Sequence, residues 1–210
     1  MYKLYWDRGG ANMAIHALLE ELKCSYTLIE VDLSQGMQRQ PEYLAINPNG
    51  RVPTLLDGQT AIYESAAILL YLADKHPEAA FAPPLHSPER GVYCQWIVWM
   101  TNTLQETASA WAHPELWADT TTAQQDVKSS ATRRLGKHWD LIENQLTQTA
   151  WLAGDRITAA DLHLFMISYW SRRYPERAED RPLLKQHALR IMQRPAVQRM
   201  MEQEDLRWTL

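Results

Sequence analysis

Apolar residues Ala14, Ile15, Leu18, Leu19 and Leu22 recur at helical spacing from Met13 onward. Residues 26–33 instead alternate and are rich in β-formers (Tyr26, Leu28, Ile29, Val31), which predicts a strand. A short β-prone stretch at 3–6 and an Arg8-Gly9-Gly10 loop precede that helix. Strand, helix and strand within about thirty residues is the size of a βαβ unit. A polar segment, a short helix at 41–45 and the turn Asn47-Pro48-Asn49-Gly50 follow. Residues 52–56 and 60–63 read as two strands joined by an Asp57-Gly58 hairpin turn. From Ser65 the chain is apolar nearly all round (Ala66, Ala67, Ile68, Leu69, Leu70, Leu72, Ala73), the pattern of a helix buried on several sides, ending near His76-Pro77.

Beyond residue 77 the strand pattern disappears. Pro77, Pro83, Pro84 and Pro88 punctuate a linker. Pro88 opens a helix as its first residue, and Val92, Trp96, Trp99, Met100, Leu104, Ala108 and Trp111 continue it until His113-Pro114. Val127, Ala131, Leu135, Trp139, Ile142 and Leu146 mark a second long helix. Thr158-Ala159-Ala160-Asp161 predicts a capping box, its loss worth about 0.5–2 kcal/mol. Helices from Pro182 and Pro195 finish the chain. The pattern therefore predicts an α/β domain over 1–77, a linker over 78–87 and an all-helical domain over 88–210.

Composition narrows the function. The 210 residues suffice for a sizeable core without disulfides or metals. A net charge of −4 gives no reason to expect nucleic acid or an anionic membrane as partner. Cys24 and Cys94 form no CxxC pair, and the histidines show no HxxxH or HExxH spacing, so no metal is expected. No apolar run spans a bilayer, and Asp7 interrupts the N-terminus before a signal-peptide core, so the expected compartment is cytoplasmic, with reduced thiols. Nine Trp against two Phe is unusual, and several of the indoles cluster mid-chain.

The chemistry concentrates in residues 47–65. Pro53 at the entrance to a strand cannot donate to the ladder. It marks either an edge strand or a cis bond that turns the Val52 backbone toward an extended ligand. Glu64-Ser65 opens a buried helix, where free N–H groups attract an anion and Glu64 accepts from an ammonium. That pair suits an amino-acid head group, although plain N-capping, the commoner role of a Ser at a helix start, is the stronger explanation of the pair taken alone.

The run Asn47-Pro48-Asn49-Gly50-Arg51-Val52-Pro53-Thr54-Leu55, the hairpin, and Glu64-Ser65-Ala66-Ala67-Ile68 resemble the glutathione-binding half of the glutathione S-transferase family. The resemblance extends over nearly the whole chain, from Lys3-Leu4-Tyr5 to the Gly154–Asp161 segment. It implies a thioredoxin-like N-terminal domain, an all-helical C-terminal domain and a homodimer. By position, Val52 would pair its backbone with the cysteinyl part of glutathione, Pro53 would be cis, and Glu64 and Ser65 would hold the γ-glutamyl end.

Members of that family activate the glutathione thiol with a Tyr ending strand one, or a Ser or Cys before helix one. Here Gly10 and Ala11 stand where Ser or Cys would be sought. Two side chains are left: Asn12, first, as an amide donor to sulfur at the helix start, and Tyr5, second. The resemblance also implies an apolar electrophile, with Trp111 and Trp117 over its pocket and Gln105 reaching glutathione. The expected activity is transfer of the glutathione thiolate to that electrophile. Two rivals stay open: a disulfide-bond reductase that uses glutathione without a cysteine of its own, and a non-catalytic binding or regulatory protein. Neither Cys24 nor Cys94 is placed to attack a substrate disulfide in that site.

Overall fold

Strands β1 (Tyr2–Trp6), β2 (Tyr26–Glu30), β3 (Thr54–Asp57) and β4 (Thr60–Tyr63) form one four-stranded sheet in the order β2-β1-β3-β4. β1 and β2 run parallel, whereas β3 is antiparallel to both of its neighbours. Leu4 faces Leu55 across the β1–β3 pair, and both are fully buried. The parallel crossover is helix α1 (Met13–Glu21), whose residues from Met13 to Leu19 are all buried. Helix α1 packs beside α3 (Ser65–Lys75), the apolar helix of the sequence pattern.

Strand β2 stops at Glu30 rather than running on to Leu33. The Asp32 carboxylate accepts from the N–H groups of Ser34 and Gln35, which bends the chain into a 3₁₀ turn and out of the ladder. Strand β3 begins at Thr54 rather than Val52, because Pro53 has no N–H to give.

The computed structural model describes residues 1–210, and the chain forms two units. The first is Met1–Ala82 with Met192–Thr209; the second is Pro83–Ile191 with the terminal Leu210. This corrects the expected helical domain over 88–210, since helix α9 (Pro195–Gln203) returns to the first unit and lies along α1. The reason is partly electrostatic: Arg194 pairs with Glu21, and Arg199 reaches Glu20 at 2.6 Å. The sheet unit therefore includes the segment 192–209, which matters for the loop after β1.

In the second unit, α4 (Pro88–Trp99) does not run unbroken to Trp111. A π-helical segment, Met100–Gln105, separates it from α5 (Glu106–Ala112). Such widened turns occur often at functional positions. Helix α6 (Thr121–Leu146) buries Leu135, Trp139 and Ile142, and the Trp139 indole donates to Glu176 O at 3.1 Å. Helix α7 (Ala159–Ser171) begins at the predicted capping box and is buried along nearly its whole length. Helix α8 (Pro182–Met192) follows.

Candidate functional site

The loop before β3 is tied down by buried hydrogen bonds. Arg51 O accepts from Tyr43 Oη at 2.7 Å and from Asn47 Nδ2 at 2.8 Å. Both side chains also meet Thr54 Oγ1, at 2.9 and 3.0 Å. Asn47 and Thr54 are buried, so this polar cluster fixes the path of the chain from 47 to 54. Between these anchors the Val52–Pro53 peptide is cis. No group of the chain takes up the Val52 N–H or C=O, which leaves an edge able to pair with an extended ligand.

Across the β-hairpin, Glu64 sits at the N-terminus of α3 with φ +70°, a backbone conformation costly for a residue bearing a Cβ. The surrounding structure holds it there, with Glu64 O accepting from Ile68 N at 3.0 Å. Its carboxylate is exposed, and Asn49 Nδ2 lies 3.5 Å away. Ser65 is 5% exposed, at the first turn of α3 where N–H groups lack helical partners.

The loop after β1 is organised by a residue far away in sequence. Glu204 is 1% exposed. Its Oε1 accepts from Asn12 Nδ2 and lies by His16 Nδ1, each at 2.9 Å, and its Oε2 accepts from Gly9 N at 3.1 Å. Asn12 Oδ1 accepts in turn from Asp7 N at 3.1 Å. Arg8 grips Glu204 O and the Asp205 carboxylate. The Asn12 side chain is therefore wholly buried and engaged inside the protein. The amide expected to donate to sulfur thus donates to Glu204 here and braces the loop. Gly10 has no room for a side chain, because a Cβ there would stand 2.7 Å from Asn12 Oδ1.

Tyr5 is half-buried, with its ring 5.6 Å from that of Tyr43. It lies opposite Thr54, next to the loop anchors. Val52, Pro53, Glu64, Ser65, Asn12 and Tyr5 thus all belong to the first unit, and Gln105, Trp111 and Trp117 to the second. Trp111 packs against Tyr174 with the ring centroids 4.7 Å apart and the planes tilted by 52°, Lys128 Nζ lies over its ring, and Trp117 is 50% exposed. Gln105 lies in the π-helical segment, where its Oε1 is 3.2 Å from His163 Nε2.

His163 is fully buried, and burial pushes its imidazole down to about 4. An imidazole in unfolded chain titrates near about 6.5. Between those values the unfolded state binds the extra proton, so stability falls as pH drops through that window and levels off below it. The expected loss is about 3 kcal/mol, at about 1.36 kcal/mol per unit. Urea denaturation of wild type and His163→Gln between pH 7 and pH 4 checks this: the variant should lack that part of the acid slope.

The sequence pointed to neither Glu204 nor Arg8. Glu204 stands 192 positions from Asn12, and an acidic residue at the end of an amphipathic helix carries no signal of burial. Asp161 was read as a cap, but its carboxylate does more. Besides Thr158 N at 2.8 Å and Thr158 Oγ1 at 3.0 Å, it accepts from Leu152 N at 2.9 Å and lies 3.0 Å from His187 Nε2. No group of three or more His, Cys, Asp or Glu is placed to hold a metal ion. No helix is long and apolar enough to cross a membrane.

Residues 1–74 match the family model described as glutathione S-transferase, N-terminal domain, and residues 97–195 match that of the C-terminal domain. The chain is 28% identical over 207 residues to glutathione S-transferase GstA of Escherichia coli O157:H7, covering 98% of this chain and all of that one. It is 30% identical over 205 residues to disulfide-bond oxidoreductase YfcG of Escherichia coli K12, covering 93% and 92%. A sphingomonad glutathione S-transferase solved in complex with glutathione superposes with TM-score 0.85 at 26% identity, over 98% of this chain and 100% of that one.

Proposed function

The chain belongs to the glutathione S-transferase family, and from that premise we propose that it binds reduced glutathione on the sheet unit and transfers its thiolate to an apolar electrophile. The observation that carries the reading is the strained backbone of Glu64 beside buried Ser65 and the unpaired edge of Val52. A backbone held at a cost points to a function for the side chain it presents. Val52 pairs with the cysteinyl backbone. Ser65 and the first N–H groups of α3 take the γ-glutamyl carboxylate, and Glu64 takes its ammonium. The co-substrate is glutathione itself, with no metal, and the active form is a homodimer, as is usual in the family.

Thiol activation falls to the loop that Glu204 braces. A thiol titrates near about 8.5 in water. Backbone N–H groups at residues 11 and 12 and the positive end of α1 lower that value, since the Gly10 N–H is taken by Asp7 O and neither Gly10 nor Ala11 brings a donor side chain. Tyr5, packed on Tyr43, is a wall residue in this reading. Tyr5→Phe should move the thiolate absorbance titration of bound glutathione by less than about 0.5 unit. A rise of a full unit or more makes Tyr5 the activating group. Within the helical unit, Trp111 and Trp117 are the proposed apolar contacts for the electrophile, and Gln105, beside His163, is a proposed polar one.

Glu64 gives the sharpest test. Glu64→Gly removes both the strained Cβ and the carboxylate. It should leave thermal stability unchanged or higher, while glutathione affinity falls by about 1–3 kcal/mol. Glu64→Ala should lose the same affinity without the gain in stability. Calorimetric titration and thermal melts on both variants decide it; full affinity in Glu64→Gly would remove Glu64 from the site.

A second reading has its own support. The loop before α1 carries no hydroxyl or thiol, and the relative YfcG is named a disulfide-bond oxidoreductase. On that reading bound glutathione attacks a substrate disulfide. Assaying a disulfide and an electrophilic aryl halide side by side separates the two.

A further inference from the structure

At the opposite end of the sheet from that site, the start of β1, the segment before β2 and the end of α3 bring a thiol, an imidazole, a phenol and a carboxylate together. Cys24 Sγ lies 3.5 Å from His76 Nε2. The same nitrogen lies 3.0 Å from Tyr2 Oη, and His76 Nδ1 lies 3.5 Å from Glu78 Oε1. Helix α1 separates this cluster from the Asn12 loop, about 13 Å at 1.5 Å per residue. Both Cys24 and His76 are partly open to solvent. Cys94, equally half-buried, has no such neighbours.

We propose that Cys24 is a modification site, at which His76 acts as base and the thiol takes up one half of a small soluble disulfide such as glutathione disulfide. Glu78 on Nδ1 favours the tautomer whose Nε2 carries the lone pair, which the Tyr2 hydroxyl at 3.0 Å shares with the Cys24 thiol at 3.5 Å and yields by rotating away. Burial and the Glu78 carboxylate push the Cys24 thiol up, with Lys75 and the terminal amine acting weakly the other way, so the resting group is the thiol and needs a base. Of the other groups near His76, Tyr2 is held neutral, its phenol pushed up by burial, and Lys75 is paired with Asp57.

The step balances. His76 Nε2 takes the S–H proton, and Cys24 sulfur attacks one sulfur of the disulfide. The new S–S bond forms as the old one breaks, and the departing thiolate recovers the proton from His76. Cys24 is oxidised, and one thiol equivalent of the reagent is reduced. A disulfide is the fitting reagent because the step asks only for a thiol and one proton carrier. This role does not depend on glutathione binding at Ser65.

The test incubates the full chain with glutathione disulfide and follows intact mass and peptide maps with time. Cys24 should gain one glutathionyl group at least about tenfold faster than Cys94, and a dithiol should remove it. In a Cys94→Ser background, His76→Gln should slow the reaction by about a hundredfold near neutral pH. The gap should narrow as the pH rises, because the thiolate then forms without a base. Cys24→Ser should abolish the adduct yet keep wild-type glutathione affinity. Equal rates at the two cysteines, or a His76→Gln rate equal to wild type at neutral pH, overturns the proposal. A His76→Gln deficit that persists undiminished at high pH overturns it too. Should His76→Gln fail to fold, the comparison of Cys24 with Cys94 in the wild-type chain decides.

Discussion

Glu204→Ala should destabilise the sheet unit by about 3–5 kcal/mol, because it takes a hydrogen-bond acceptor from three polar groups at once. The carboxylate serves the Asn12 amide, the His16 ring and the Gly9 N–H, and the first two lie where water does not replace it. Each buried group left unsatisfied costs about 1–3 kcal/mol. Glu204→Gln should lose less, because its carbonyl oxygen still accepts from Asn12 while its amide meets the Gly9 N–H as a second donor. The loop from Arg8 to Asn12 loosens in both, so glutathione affinity should fall in the same order. Urea denaturation with a parallel binding titration checks it. A Glu204→Ala protein as stable as wild type would mean that the loop holds its shape without this clamp.

In the helical unit, Asp161→Ala should cost a similar amount, about 3–5 kcal/mol. An ordinary cap is worth about 0.5–2 kcal/mol. Asp161 is fully buried and joins three segments: the loop at Leu152, the start of α7 at Thr158, and His187 on α8. Removal strands two backbone N–H groups, one hydroxyl and one imidazole. Asp161→Asn keeps one acceptor oxygen and should fall between. Thermal melts of the two variants measure the difference; a loss within the ordinary capping range would reduce Asp161 to a local role.

The parts of the fold set by local chemistry were readable from the chain. The hairpin at Asp57-Gly58, the entry of α3 at Ser65 and the box at Thr158 each depend on neighbouring residues, and each appears where the pattern puts it. The parts set by distant packing were not. The residues of α9 are simply amphipathic, and nothing in them says that they cover α1 rather than close the helical unit. The break at Met100–Gln105 is likewise invisible, because its apolar spacing still suits an ordinary helix. The same division runs through the candidate site. Val52, Pro53, Glu64 and Ser65 lie within fourteen positions and carry a motif. Asn12 was read as a donor to sulfur because its true partner, Glu204, belongs to the far end of the chain.

The central claim is that reduced glutathione binds along Val52 and the first turn of α3. Isothermal titration calorimetry of the full-length chain with reduced glutathione tests it most directly, with Ser65→Ala as the comparison. The account predicts saturable binding below millimolar concentration, weakened in Ser65→Ala by about tenfold to a hundredfold, since a hydrogen bond to a charged group contributes about 1.5–3 kcal/mol. No heat of binding at millimolar glutathione, or equal affinity in Ser65→Ala, would contradict it.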